Sequence, residues 1–265
     1  MLIVVLGFIV GVILALTGAG GGILAVPLLV FGAGLSMVQA SPIGLLAVAL
    51  AAALGAAIGL KNRTVRYKTA LLVAATGIVA SPMGLWLAHR VPNKPLAIFF
   101  ALVLLYVAAR AYKRSLPPAP DAPCPPPRSP PPCLLDARRG KLTWTAPCAR
   151  ALCASGALAG GLSGLLGVGG GFVVVPALQR YTDFNAQTVR ATSLAVIALV
   201  SLAGVATSAA TGHLYWPVAL PFSLGAGLGM LAGSLVAARL SAALLQRSFA
   251  LVSGVIAVAL LVNSL

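Results

Sequence analysis

Two short stretches of this chain, Thr17–Gly22 (TGAGGG) and Leu166–Gly171 (LGVGGG), each put four glycines into five consecutive positions. Glycine costs a helix about 1 kcal/mol relative to alanine at each position, so both stretches predict a break. A new half-helix is expected to start at about Gly22 and at about Gly171. A helix start presents free N–H groups and a partial positive charge, which attract anions. Glycine leaves that backbone bare, so a ligand can approach it closely. The chemistry expected of such a place is anion binding. The candidate ligands are the backbone of Gly18, Gly20, Gly21, Gly22, Gly167, Gly169, Gly170 and Gly171, together with the hydroxyls of Thr17, Ser41, Ser163, Thr192 and Ser193. Ser81, Ser201 and Thr207 are further hydroxyls inside apolar blocks. The same residues carry a plainer reading. Small residues let helices pack closely, and most helical Ser and Thr bond their own backbone.

Other chemistry is thinly represented. The chain has no Glu, and its three acids are Asp121, Asp136 and Asp183, all outside the apolar blocks. Intramembrane carboxylates are the usual relays for protons and cations, so their absence points away from cation transport and from carboxylate-based proton coupling. His89 and His213 stand at segment ends, and His213 reads as an interfacial residue, with a gate or proton acceptor as the alternative. No Ser/His/Asp arrangement is present, and Gly140-Lys141 is not a phosphate-binding loop. The expectation is a non-enzyme without cofactor or metal. Cys124, Cys133, Cys148 and Cys153 lack C-x-x-C spacing and a nearby His, and read as unpaired thiols in a linker and at a helix start.

The elements that must position the glycines are membrane helices. Of 265 residues, 60% are hydrophobic and 8% charged, with a mean hydropathy of +1.04. A soluble domain is about 25% charged, so a soluble globular enzyme is excluded. The net charge of +15 comes from basic residues that lie between apolar stretches, which points to membrane orientation and anionic lipid rather than nucleic acid. Because no basic segment precedes the first apolar stretch, a secretory signal peptide is not expected.

Shifted by 149 residues, the sequence falls on itself: 7–29 on 156–178, with Gly7, Gly11, Gly18, Gly20, Gly21, Gly22, Val26 and Pro27 meeting identical residues. The same offset pairs Leu45 with Leu194, Gly55 with Gly204, Gly84 with Gly233 and Arg90 with Arg239. This is a tandem duplication: a first repeat over 1–110, a Pro/Arg-rich linker over 111–149 and a second repeat over 150–265. The linker reads as an extended spacer with no packed core, its alternative being a docking site for a partner that reads proline-rich chain.

Each repeat has four apolar blocks, 2–35, 41–60, 69–89 and 95–112 in the first and 151–179, 191–210, 217–238 and 248–263 in the second. The glycines split each first block into pieces of roughly 12–15 residues, about 20 Å each and too short for a hydrocarbon core of about 30 Å. The expected fold is an all-α polytopic membrane protein of two inverted-topology repeats. Each repeat is a glycine-broken re-entrant helical hairpin, its tip near the midplane, followed by three transmembrane helices. With the loop Lys61–Lys68 in the cytoplasm, inversion puts sixteen basic residues inside and only Arg90 and Lys94 outside. Parallel repeats would put twelve inside and six outside. The positive-inside rule prefers inversion, with the linker cytoplasmic, both termini outside, and Arg190 a topology anchor. Inverted repeats with interrupted helices bind substrate near the midplane at the repeat interface.

The doubled G-x-G-G-G…P element at 18–27 and 167–176, together with Ala191-Thr192-Ser193, resembles the TauE/SafE family of sulfite exporters (also called TSUP). The resemblance covers both repeats and not the linker. It implies a multi-pass protein of the cell (inner) membrane that moves sulfite, a sulfonate or a related organosulfur anion. The first repeat has Ser41-Pro42-Ile43-Gly44 where an Ala-x-x-Thr-Ser would stand, so Thr192-Ser193 is an asymmetric ligand candidate. The expected function is a secondary carrier that exports a small anion by alternating access. An anion channel of the same fold is the alternative, ahead of a membrane-embedded enzyme or assembly factor. Expected partners are the anion and the lipid bilayer, with a homo-oligomer possible.

Overall fold

A computed structural model of the chain describes residues 1–18, 20–115, 133, 145–210, 214–236 and 242–264. Cys124, His213, Arg239 and the proline runs of the linker lie outside the described residues. Ten helices are present among the described residues: α1 (Leu2–Thr17), α2 (Gly20–Ala33), α3 (Met37–Lys61), α4 (Tyr67–Arg90), α5 (Asn93–Ser115), α6 (Ala146–Leu166), α7 (Gly171–Tyr181), α8 (Ala186–Ala210), α9 (Trp216–Val236) and α10 (Ala242–Ser264). Six of them (α3, α4, α5, α6, α8 and α9) contain described stretches long and apolar enough to cross a membrane.

Helix boundaries follow local chemistry. Ser36 starts α3 with a capping box: its hydroxyl accepts from the Gln39 amide, and the Gln39 side chain accepts from the Ser36 amide. At the equivalent place, 149 residues on, the Asn185 side chain accepts from the Thr188 amide at 2.8 Å and starts α8. These caps lie upstream of the apolar blocks. As a result α3 and α8 are 25 residues each, longer than the blocks at 41–60 and 191–210 predict. Thr145 caps α6, which has a proline in its first turn. The pieces flanking the breaks measure 16, 14, 21 and 11 residues for α1, α2, α6 and α7. The expected 12–15 residues is therefore corrected for α6, which begins upstream of its apolar block and is itself long enough to span.

Packing repeats at the 149-residue offset. A Cβ on Gly7 or Gly11 of α1 would run into the Phe222 or Ala226 carbonyl of α9. At the equivalent Gly156 and Gly160 of α6 it would run into the Val73 or Gly77 carbonyl of α4. Both pairs run parallel: Val4, Phe8 and Val12 meet Gly225, Gly229 and Gly233 in order. The equivalent helices α3 and α8 run antiparallel, since the missing Cβ atoms of Gly59, Gly55 and Gly204 point at Ala191, Leu194 and Leu45. One apolar core, including Leu14, Ile23, Val48, Leu166, Ile197 and Phe222, joins the two halves.

The cysteines overturn one expectation. Cys133 and Cys148 form a disulfide rather than standing as unpaired thiols, while Cys153 is free. The linker is also not wholly without packing. Cys133 is buried among Leu152, Val174, Leu178 and Val189, and its amide donates to the Tyr181 carbonyl at the end of α7. C-x-x-C spacing is a sign of metal and redox motifs. A disulfide needs only two Cα atoms at the right separation, here 5.0 Å, which tertiary packing sets.

Candidate functional site: two glycine breaks around the crossing of two long helices

Both predicted breaks are present. Helix α1 ends at Gly18 (φ 73°) and α6 at the equivalent Gly167 (φ 72°), each amide donating back to a carbonyl four residues earlier, Leu14 or Ser163. This left-handed conformation costs a side-chain-bearing residue about 1–2 kcal/mol, which accounts for glycine at both positions. Space demands it as well. A Cβ on Gly18 would lie 2.9 Å from Cγ of Arg190, and one on Gly167 would overlap the Ser41 hydroxyl. Positions 41 and 190 are themselves equivalent, so one break abuts a neutral hydroxyl and the other the aliphatic stem of an arginine.

Helix α2 restarts at Gly20 and α7 at Gly171. Gly170 is the N-cap of α7 and supplies no side-chain cap. The two restarts meet. Gly22 lies against the Val168 carbonyl, and the Val48 side chain would lie 3.4 Å from a Cβ on Gly22 and 2.9 Å from one on Gly169. Ile197 and Ser201 of α8 close on Gly169 from the other side. The restarts thus sit at the middle of α3 and α8. The helix ends at Gly18 and Gly167 lie beyond that middle, near the starts of α8 and α3. The packing reading of Gly21 also holds, since a Cβ there would strike Leu14 and Val10 of α1.

The hydroxyls divide into two sets. Thr17 donates to the Ile13 carbonyl at 2.7 Å. Thr192 accepts from the Arg66 amide at 3.1 Å, and the Ser193 proton is shared between the Gly18 and Arg190 carbonyls at 3.1 and 2.8 Å. Thr17 and Ser193 thus give their protons to the protein's own backbone, while Thr192 is engaged as an acceptor. By contrast, the hydroxyls of Ser41, Ser163 and Ser201 are buried and have no hydrogen-bond partner among the described residues. Ser41 and Ser201 border Gly167 and Gly169 of the second break, the Ser201 oxygen 2.8 Å from the place of a Gly169 Cβ. Ser41 also faces a small cavity whose other walls include Met37, Leu85, Phe100 and Leu166. In the sequence Ser201 is one hydroxyl among several. Its equivalent is Ala52, and that asymmetry is the signal that would have singled it out.

The charge of this region is basic. Arg190 is half-buried, and among the described residues it makes no ion pair or side-chain hydrogen bond. Asp183 is exposed in the turn between α7 and α8. No cluster of His, Cys, Asp or Glu suited to a metal ion occurs among the described residues. Such an arrangement offers amide and hydroxyl donors plus one guanidinium, a set suited to an anion.

The profile of the family described as Sulfite exporter TauE/SafE matches residues 3–260. The chain is 31% identical over 261 residues to a protein of Xylella fastidiosa (strain 9a5c) named "Probable membrane transporter protein", covering 97% of this chain and 92% of the relative. It is 27% identical over 240 residues to the "Probable membrane transporter protein YunE" of Bacillus subtilis (strain 168), covering 86% and 85%. No solved structure matches the chain. With its doubled glycine break and its membrane-length helices, this chain belongs to the TauE/SafE sulfite exporter family and is a multi-pass membrane transporter.

Proposed function

We propose that this transporter is a carrier that exports a small sulfur-containing anion (sulfite, a sulfonate or a related organosulfur anion) by alternating access, binding it where the two glycine breaks meet. One observation carries the reading: the buried Ser41 and Ser201 hydroxyls, without partners among the described residues, border Gly167 and Gly169 in the glycine stretch between α6 and α7. A buried hydroxyl left without a partner costs about 1–3 kcal/mol, a cost that a bound oxyanion would remove. The ligand set is then Ser41, Ser163 and Ser201 with the backbone of 167–171 and of the matching break at 18–22. Thr17, Thr192 and Ser193 shape the site rather than touch the anion.

The two parts of the chain, 1–110 and 150–265, act in this proposal as inverted repeats. The antiparallel course of α3 and α8 supports this, because equivalent helices running in opposite directions are what inversion requires. The re-entrant reading has parallel support. Gly32 near the end of α2 returns to Leu6 of α1, and the α7 end returns toward the α6 start, since the Cys133 amide donates to the Tyr181 carbonyl while its sulfur bonds Cys148. The length of α6 alone would favour a full crossing, whereas the return of the α7 end toward the α6 start supports the re-entrant course.

The sixteen-to-two distribution of basic residues favours a cytoplasmic linker and external termini. The Cys133–Cys148 disulfide pulls the other way, since disulfides persist in oxidising compartments. Charge decides orientation during insertion, whereas this pair can close or open afterwards. The proposal therefore follows the charge count and keeps the linker cytoplasmic. Purified protein in liposomes, given labelled sulfite, sulfate, taurine or sulfoacetate, tests the function. Saturable flux with counterflow is expected of a carrier. Flux that never saturates would favour the channel, and absence of flux for every anion would reject the proposal.

A further inference from the structure

Equivalent positions 41 and 190 differ more than any other pair at the breaks. Both side chains press on the terminal glycine of a broken helix, Ser41 on Gly167 and Arg190 on Gly18. They also lie at opposite ends of the molecule. Arg190 is near the start of α8, where the Thr192 hydroxyl meets the Arg66 amide, so it belongs to the end bearing Lys61, Arg63, Arg66 and Lys68. Ser41 is near the start of α3 and shares its cavity with Ala88 and Leu96, so it belongs to the end bearing Arg90 and Lys94.

We propose that Arg190 is a specificity-determining residue that makes the affinity for the anion different at the two ends of the carrier, tighter at the Arg190 end and weaker at the Ser41 end. This rests on the carrier reading above. In alternating access the same bound anion is exposed first to one end and then to the other. At the Arg190 end it meets a guanidinium that pairs with no acid among the described residues, and at the Ser41 end a neutral hydroxyl. A fixed cation at the mouth raises the local anion concentration and strengthens binding, and salt screens this effect within about 8 Å at physiological ionic strength. Asymmetric affinity cannot by itself drive uphill transport. For an uncoupled carrier Vmax/KM must be equal in the two directions, so the end with the lower KM also has the lower Vmax. The asymmetry instead lets the carrier collect a dilute anion at the Arg190 end and release it readily into a higher concentration at the other.

The test is zero-trans flux of labelled sulfite, measured from each end in liposomes of known protein orientation. The expected wild-type result is a KM roughly tenfold lower at the Arg190 end in low salt, converging with the other end in high salt. R190Q should bring the two KM values together, and R190K should keep most of the difference. The double variant S41K/R190Q should reverse it. Should R190Q fail to fold, S41K alone should lower KM at its own end about tenfold. Equal KM values at the two ends of the wild type, or an asymmetry that survives R190Q, would overturn the inference while leaving the carrier standing. Absence of any anion flux would overturn both.

Discussion

The Ser193 hydroxyl lies 3.1 Å from the Gly18 carbonyl oxygen, joining residues 175 positions apart. The equivalent relationship in the other half is made without a hydroxyl: a Cβ on Gly44 would sit 3.3 Å from the Gly167 carbonyl. One break is thus held by a hydrogen bond and the other by bare contact. Replacing Ser193 by Ala should lower stability by about 1 kcal/mol, the usual net worth of such a bond. It should also reduce flux by loosening the first break. Thermal unfolding in detergent, paired with sulfite uptake, checks this. A variant as stable and as active as the wild type would show that the tether is idle.

Ser41 and Ser201 should behave in the opposite manner. Their hydroxyls are buried without partners among the described residues, so S41A and S201A remove a desolvation cost of about 1–3 kcal/mol and lose no hydrogen bond to them. Stability is expected to hold or rise. The KM for sulfite is expected to rise several-fold, because the anion loses a donor. The same pair of measurements decides it, and unchanged transport in both variants would remove these hydroxyls from the site.

Gly167 carries two separable constraints. An alanine there meets the left-handed φ, at about 1–2 kcal/mol, and overlaps the Ser41 hydroxyl. G167A should therefore be strongly destabilised, and G167A/S41G should recover part of the loss but not all. Melting temperatures of the wild type, the single and the double variant separate the side-chain overlap, which S41G removes, from the φ cost and the approach to the Ser41 Cα, 2.5 Å from the place of the Cβ, which it leaves. Full recovery in the double would mean that the backbone conformation costs nothing.

Helix packing gives a sharper contrast between neighbours. A side chain on Gly160 would enter the Gly77 backbone of α4, while one on Gly161 meets nothing within 4 Å. G160L should abolish folded material, and G161L should yield it at near wild-type levels, as read by size-exclusion chromatography. Equal behaviour of the two would mean that α6 does not present this face to α4.

The disulfide closes a 15-residue separation between Cys133 and Cys148. In the chain-entropy account a loop of this length is worth about 3 kcal/mol, so C148S should melt below oxidised wild type and match reduced wild type. Peptide mapping without reductant should recover the 133–148 crosslink, with Cys153 alkylated. Recovery of alkylated Cys133 from oxidised protein would refute the pairing.

Much of the helical plan was readable in the residues. Glycine density located both breaks, because backbone entropy and the missing side chain act locally. The 149-residue offset anticipated which helices would be equivalent. Helix starts were less legible: α3 and α8 begin at the caps Ser36 and Asn185, polar residues that a hydropathy reading assigns to loops. The length of α6 was underestimated for the same reason, its first turn being Thr145-capped and only weakly apolar.

The sequence by itself determined that this is a membrane protein with two glycine-interrupted segments 149 residues apart, since composition and glycine placement are properties of the chain alone. Only the tertiary structure decided which hydroxyls are free. Thr192 and Ser193 are as polar as Ser41 and Ser201, and no local pattern separates them. The difference lies in whether a backbone group from a distant segment arrives within hydrogen-bonding reach, as Arg66 and Gly18 do and as none among the described residues does at Ser41. The pairing of Cys133 with Cys148, and of Arg190 with Gly18, was decided in the same way, by distances that come into being only when the helices pack.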